Sequence, residues 1–166
     1  ESTYANEDHT PRLELEKRFV DSCNDVVDKG GIVLLPAFGV GRAQEIASVL
    51  VAHHFEHPII LDGMAREASR VILNGKEYLR DPKLFADTMH SVEWVEGWRD
   101  RRKALRTPSV IVSPAGMLKG GPSQFYISKV GKKANNAVFL VSYQIPGTPG
   151  RELLEKGICT IDGRVR

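Results

Sequence analysis

The feature that most constrains the fold is the alternation of short apolar runs with longer stretches of helical periodicity. Runs at residues 32–38, 59–61, 110–113 and 138–142 have the composition of strands buried on both faces of a sheet. Between them, apolar side chains recur at three- and four-residue intervals, as in residues 42–55. The pattern is typical of βαβ units, and it predicts an α/β three-layer sandwich, Rossmann- or flavodoxin-like, with a mainly parallel sheet of about five strands.

The two ends of the chain give more local predictions. A first helix is expected to begin at Thr10 and Pro11, a capping residue followed by proline, and to end before Gly30. Near the other end, Asp162 and Gly163 are a hairpin signal. Because the sequence stops shortly afterwards, we expect this C-terminal hairpin to be truncated.

The composition is typical of one soluble globular domain. Of the 166 residues, 42% are hydrophobic and 27% charged, and the net charge of +2 is too small to indicate a nucleic-acid partner by itself. The longest apolar run is too short to span a bilayer and no secretory signal is visible, so we expect no membrane partner and a cytoplasmic location. Two cysteines without a CxxC partner fit a reducing compartment.

Three loops of similar composition follow predicted strands. Their sequences are FGVGRAQE, SPAGMLKGGPS and YQIPGTPGRE, and each has at least two glycines and one basic residue: Arg42, Lys119 or Arg151. In a parallel sheet such loops emerge at the carboxyl edge, where open α/β folds bind ligands, and each leads into a helix N-terminus that favours an anion. The pattern predicts a phosphate-binding edge. The alternative is that the glycines only permit tight turns with positive φ.

Other site chemistries have little support in the sequence. Gly39, Gly41 and Asp62 fit part of a dinucleotide-binding fingerprint, but Gln44 stands at its third glycine position. The five histidines and two cysteines supply no zinc ligand set. We therefore expect no metal site and no complete catalytic centre in this chain.

Several sequence blocks resemble those of the β-CASP nucleases of the metallo-β-lactamase superfamily. The start, ESTYANEDHTPRLELEKRF, resembles the segment that follows their metallo-β-lactamase core, and GGIVLLPAFGVGRAQE resembles a block typical of the family. LDGM, GMLKGGP and YQIPGTPGR resemble the versions in archaeal homologues of the cleavage and polyadenylation specificity factor endonuclease. The blocks occur in order over nearly the whole chain. Ala5 and Pro149 depart from the pattern, which more often has glycine and leucine there.

The resemblance implies that residues 1–166 are a single β-CASP domain of a larger, two-domain, zinc-dependent ribonuclease that acts in RNA 3′-end processing or decay. Such an enzyme is an endonuclease, a 5′-exonuclease or both. Its zinc-binding motifs would lie outside this sequence, so zinc is implied for the parent enzyme and no cofactor for this chain, which is expected to be inactive alone. Glu1 matches the family's acidic motif and would be catalytic only in the full-length enzyme. The implied partners are single-stranded RNA and the metallo-β-lactamase domain of the same chain, and a homodimer is common in the family.

The loops and the resemblance together predict a set of RNA-binding residues. We expect backbone N–H groups and cations of the carboxyl edge to bind RNA phosphates, at Arg42, Gly116, Lys119, Gly120, Gly121, Ser123, Gly147, Thr148 and Arg151. Arg42 has an alternative, structural role as an ion-pair partner of Glu45 or of a carboxylate in the next loop. The competing hypothesis for the whole chain is a free-standing flavodoxin-like module that binds a nucleotide or a phosphorylated metabolite.

Overall fold

The computed structural model describes residues 8–161 and 163–165. At its centre is a five-stranded sheet of β1 (Ile32–Pro36), β2 (Ile59–Leu61), β3 (Glu93–Trp94), β4 (Ser109–Ser113) and β5 (Ala137–Val138). Neighbouring strands are parallel, and the order across the sheet is β3-β2-β4-β1-β5. The predicted parallel α/β sheet is confirmed, and its strand order differs from both common doubly wound orders.

Seven α-helices in the described part of the chain cover the two faces of this sheet. They are α1 (Arg12–Asp28), α2 (Arg42–Ala52), α3 (Met64–Asn74), α4 (Pro82–Ser91), α5 (Trp98–Ala104), α6 (Gly121–Val130) and α7 (Pro149–Lys156), with a 3-10 turn at Lys76–Tyr78 between α3 and α4. Helices α1 to α4 pack on one face, and α5, α6 and α7 pack on the other. The helices and the sheet therefore form the predicted three layers.

The strand β4 shows why both faces must be covered. Val110 and Val112 pack in the cluster with α1, α2 and α4, whereas Ile111 packs in the cluster with α5 and α6. All three side chains are fully buried. Because successive side chains of a strand point to opposite faces, an apolar run without alternation requires a layer of helices on each side.

Several element boundaries differ from the sequence prediction. The first helix begins at Arg12, and Pro11 takes the N-cap position that was expected for Thr10, with its carbonyl accepting the N–H groups of Glu14 and Leu15. Strand β1 ends at Pro36 rather than at residue 38. Strand β5 ends at Val138 rather than at residue 142, since it lies at the edge of the sheet and pairs with β1 alone.

Helix α4 has no counterpart in the sequence prediction. Its signal is nevertheless present, because the Asp81 side chain caps the helix by accepting the N–H of Leu84 at 2.8 Å and Pro82 occupies the first helical position.

A C-terminal hairpin completes the described part of the chain. Strand β6 (Thr160–Ile161) pairs antiparallel with β7 (Arg164–Val165), as the hairpin signal predicts, although Asp162 itself lies outside the described residues. Ile161 packs in the cluster that contains α5 and α6. Among the helices described, none has the length and apolarity that crossing a bilayer requires.

Candidate nucleic-acid interface

The loops that follow β1, β2, β4 and β5 lie at one edge of the sheet. We call residues 37–41, 63–64, 114–121 and 139–148 the carboxyl-edge surface. Because β4, β1 and β5 are neighbours in the sheet, the three loops singled out in the sequence lie side by side. This is the position at which open α/β sheets bind ligands.

Close backbone contacts hold these loops together. The Gly116 carbonyl accepts a hydrogen bond from Gln144 Nε2 at 3.1 Å, and the Gly150 N–H donates to the Met117 carbonyl at 3.0 Å. A Cβ atom at Gly116 would lie 3.1 Å from the backbone nitrogen of Phe38. The loop after β4 is therefore packed directly against the loops after β1 and β5.

Two glycines in the loop after β4 are required by the fold itself. Gly116 is buried against the backbone of Ala37 and Phe38. Gly121 has a φ of +66°, and a Cβ atom there would lie 2.7 Å from the Pro114 carbonyl oxygen. Close packing and turn geometry account for both glycines without any ligand.

Ser123 and Thr148 are buried, and the structure uses their polar groups internally. The Ser123 N–H donates to the Pro114 carbonyl at 2.9 Å, and its hydroxyl donates to carbonyls of the same loop. Thr148 caps α7, since its Oγ1 accepts the N–H of Arg151 and donates to the Ile145 carbonyl. These contacts give both residues structural roles and leave no free donor of theirs for a phosphate.

Three consecutive backbone N–H groups in the loop after β4 remain free. Those of Lys119, Gly120 and Gly121 form no hydrogen bond within residues 8–161 and 163–165. They lead into the first turn of α6, which carries partial positive charge. They are the part of the predicted phosphate cradle that can still donate to an anion. Gly147, exposed and with a φ of +80°, faces open space.

The three predicted cations differ in their ion pairs. Arg42 Nη1 lies 2.7 Å from Glu45 Oε2, and Arg151 Nε lies 2.6 Å from Glu155 Oε1. Lys119 is exposed and forms no ion pair with any residue that the structure describes. Exposed pairs contribute little to stability, so a phosphate can replace the carboxylate at either arginine. Lys119 alone of the three is available without such an exchange.

Arg42 and Arg151 also line a cleft beside the carboxyl-edge surface. The cleft has a volume of about 890 Å³ and is lined by residues 140–144 of the loop after β5 and by residues of α1, α2 and α7. Tyr143 lies at the same cleft. The predicted cations are therefore divided between the loop after β4 and this cleft.

Asp62 has a structural role that the sequence pattern does not reveal. It is fully buried at the end of β2, where its carboxylate accepts Arg101 Nε at 2.6 Å, Arg101 Nη2 at 2.9 Å and the Tyr126 hydroxyl at 2.8 Å. It also accepts the N–H of Gly63. The sequence signal that could have indicated this role is an acidic residue directly after a buried strand, together with an arginine-rich helix elsewhere in the chain. The network ties the end of β2 to α5 and α6 beneath the carboxyl-edge surface.

Two pKa shifts follow from this network. The hydrogen bond to Asp62 raises the pKa of the Arg101 guanidinium above its ordinary value. Burial raises the pKa of the Tyr126 hydroxyl, and the nearby charge of Asp62 raises it further. Both groups therefore stay protonated under physiological conditions and act as permanent donors to the carboxylate.

Gln44 argues against a dinucleotide site in the loop after β1. It is buried, its Oε1 accepts the N–H of Gly41 at 2.7 Å, and its Nε2 donates to the carbonyls of Gly39 and Ala65. A dinucleotide-binding motif needs a glycine at this position for close packing of helix on strand. Gln44 instead fills the space beneath the loop.

The residues that the structure describes do not fit a zinc site. No three of their His, Cys, Asp and Glu side chains are grouped so that they could hold a metal ion. Burial raises the pKa of the Cys23 thiol to about 12, which makes this thiol a poor metal ligand and a poor nucleophile. Glu1, the predicted catalytic residue, lies outside the described residues, as does Ala5.

Comparisons with known proteins place the chain in a family. Residues 43–153 match the family described as the Beta-Casp domain. The chain is 46% identical over 157 residues to RNase aCSPSF2 of Saccharolobus solfataricus, which covers 95% of this chain and 32% of that protein. It is 37% identical over 161 residues to the probable RNase MJ4 of Methanocaldococcus jannaschii, and the match covers 95% of this chain and 38% of that protein. It is 36% identical over 185 residues to the transcription termination factor FttA of Thermococcus kodakarensis, and the match covers 99% of this chain and 28% of that protein.

The chain thus spans about a third of the length of these relatives. The family match includes the loops after β2, β4 and β5 of the carboxyl-edge surface, and the chain belongs to the Beta-Casp domain family.

Proposed function

We propose that this chain is the RNA-binding domain of a zinc-dependent ribonuclease that acts in RNA 3′-end processing or decay. Its family, and relatives named as RNases and transcription termination factors, support a role in RNA processing. The observation that carries the proposal is the loop after β4. There the free N–H groups of Lys119, Gly120 and Gly121 adjoin the unpaired Lys119 side chain.

These groups bind single-stranded RNA through its phosphates. The free N–H groups and the first turn of α6 donate to one phosphate, and the Lys119 ammonium neutralises charge beside it. Arg42 and Arg151 exchange their carboxylate partners for further phosphates where the RNA strand enters the cleft beside residues 140–144. Phosphate contacts position a strand without reading its sequence, so this part of the surface binds RNA of any sequence.

Catalysis belongs to another part of the parent protein in this proposal. A metallo-β-lactamase domain of the same parent chain would hold the zinc, because no zinc site is formed by the residues described here. The role of this domain is to hold and orient the RNA, and we assign it no chemical step of its own. A role for Glu1 in the full-length enzyme, a homodimer and a cytoplasmic location remain predictions.

The experiment that tests the proposal is a salt titration of RNA binding. We expect Lys119→Ala to weaken the binding of a short single-stranded RNA about equally for all sequences. It should also reduce the slope of log affinity against log salt concentration by about 0.7, the loss of one phosphate contact. Fluorescence anisotropy at low salt concentrations measures both quantities.

The matched control for this titration is Lys133→Ala. Lys133 is exposed and lies between α6 and β5, at the opposite edge of the sheet, so its removal should leave the slope unchanged. Equal effects of the two variants, or a wild-type chain that binds no RNA, would contradict the proposal.

A further inference from the structure

We infer that the carboxyl-edge surface also binds unstacked RNA bases, on the exposed aromatic rings of Phe38 and Tyr143. This inference rests on the proposed function and extends it from the phosphates to the bases. It follows from the side chains exposed at this edge, from the place where their loops meet, and from the charge beside them.

Large apolar side chains are concentrated on the carboxyl-edge surface. Phe38 is 44% exposed and Tyr143 is 50% exposed. Val40, Met64 and Ile145 on the same surface are also exposed. Single exposed apolar residues are ordinary, but several on adjacent loops form a patch of the kind that marks an interaction site.

The two aromatic residues belong to loops that meet at Gly116. The backbone nitrogen of Phe38 faces Gly116 so closely that a Cβ atom would lie 3.1 Å from it. Gln144, the neighbour of Tyr143, donates to the Gly116 carbonyl at 3.1 Å. The loops of Phe38 and Tyr143 therefore both contact, at Gly116, the loop that carries the free N–H groups and Lys119.

Neither ring takes part in an aromatic pair or a cation–π contact with the described part of the chain. Within residues 8–161 and 163–165, the rings of Phe38 and Tyr143 contact no other aromatic ring and no cation. Trp98, also exposed near this edge, differs, because its ring packs edge-on against Phe125 at 5.4 Å and beneath the Arg101 guanidinium at 4.8 Å. Among the described residues, Phe38 and Tyr143 are thus the partly exposed rings of this surface that have no aromatic or cationic partner.

The groups beside the rings favour a nucleic acid over an apolar protein surface. An apolar partner would cover the N–H groups of Lys119, Gly120 and Gly121 without giving them an acceptor, which is costly. A single-stranded polynucleotide supplies phosphates for these donors and flat bases for the rings. A duplex keeps its bases stacked within the helix, so the arrangement selects unpaired RNA.

The test compares a short single-stranded RNA with the same strand from which the bases have been removed at consecutive abasic positions. We expect the wild-type chain to bind the intact strand about tenfold more tightly at equal salt concentration, because abasic RNA keeps the phosphates and loses the stacking faces. Phe38→Leu combined with Tyr143→Leu keeps apolar bulk and should lose this preference while the salt slope stays the same. Phe38→Trp combined with Tyr143→Phe keeps both aromatic faces and should keep the preference for intact RNA.

Two controls separate stacking from other effects. Tyr78→Leu removes an exposed tyrosine near the opposite edge of the sheet and should leave the preference intact, and so should Lys119→Ala. Equal binding of intact and abasic RNA by the wild-type chain would overturn the inference while leaving phosphate binding in place. A preference that survives the leucine variant would also overturn it, because the bases would then be bound at another part of the chain. Absence of any RNA binding would overturn the proposed function and the inference together.

Discussion

Gly121 is constrained in two ways at once, by its backbone conformation and by its contact with Pro114. We expect Gly121→Ala to lower the free energy of unfolding by about 2 to 4 kcal/mol, because a clash is added to the strain of positive φ. Gly157 is the matched control, since its φ of +71° is similar and no atom lies within 4 Å of a Cβ there. Gly157→Ala should cost only about 1 kcal/mol. Urea unfolding measures both changes, and an equal loss of unfolding free energy in Gly121→Ala and Gly157→Ala would contradict the role given to the contact with Pro114.

Asp62 offers a second prediction for a single residue. Asp62→Asn leaves Arg101 without its partner beneath the carboxyl-edge surface, and we expect it to lower the free energy of unfolding by about 3 kcal/mol or more. Denaturant unfolding measures this change. The control is Asp87→Asn, which breaks the exposed pair with Lys83 and should have little effect. An Asp62→Asn chain as stable as the wild type would show that the buried network is not needed.

Among the elements, α1 and α2 are linked at their surface through the side chains of Arg12, Glu16, Glu45 and His53. Arg12 contacts Glu16 at 2.5 Å and Glu45 at 2.9 Å, and Glu16 Oε2 lies 3.0 Å from His53 Nε2. The hydrogen bond with His53 is the largest of the effects that lower the pKa of Glu16. Because this pKa is lower in the folded chain than in the unfolded one, Glu16 stabilises the fold most fully above the unfolded pKa of about 4.3. The contribution is lost as the pH falls through the folded pKa.

We therefore expect Glu16→Gln to reduce the fall in melting temperature that acidification causes between about pH 5 and pH 3. His53→Gln should act in the same direction, because it removes the main cause of the shift. Thermal melts followed by circular dichroism across this range make the comparison. Profiles of both variants that coincide with that of the wild type would contradict the account.

The sheet could be predicted from the sequence because its central strands have an unambiguous pattern. A run such as Val110, Ile111 and Val112 fits a strand covered on both faces and little else. The extent of the edge strand β5 and the presence of helix α4 are harder to predict from the sequence. The length of β5 depends on a neighbour that pairs with it on one side only, and α4 is a short helix whose apolar residues Phe85 and Met89 give a weak periodic signal.

The candidate site could be predicted only in outline. Its position follows from topology, since the carboxyl ends of parallel strands share one edge. Which N–H groups remain free could not be predicted from topology. The Ser123 N–H, for example, donates to the Pro114 carbonyl in a turn whose shape the sequence does not reveal. Asp62 and its partners Arg101 and Tyr126 are far apart along the chain, so no local sequence pattern predicts their contact.

For the whole molecule, we expect RNA to bind at the carboxyl-edge surface and not at the opposite edge of the sheet. The carboxyl-edge surface combines free N–H groups, an unpaired lysine and two partly exposed aromatic rings, whereas α5 uses Arg101 for the buried contact with Asp62. The curated relatives named above are about three times the length of this chain.

The measurement that tests this claim most directly is a map of amide chemical shifts in the isotopically labelled chain as a short single-stranded RNA is added. We expect the largest changes at Lys119, Gly120 and Gly121, with further changes at residues 37–41 and 143–148. The loops at the opposite edge, residues 29–31 and 131–136, should remain unchanged. Changes confined to that opposite edge or to α5, with none between residues 114 and 121, would contradict the account.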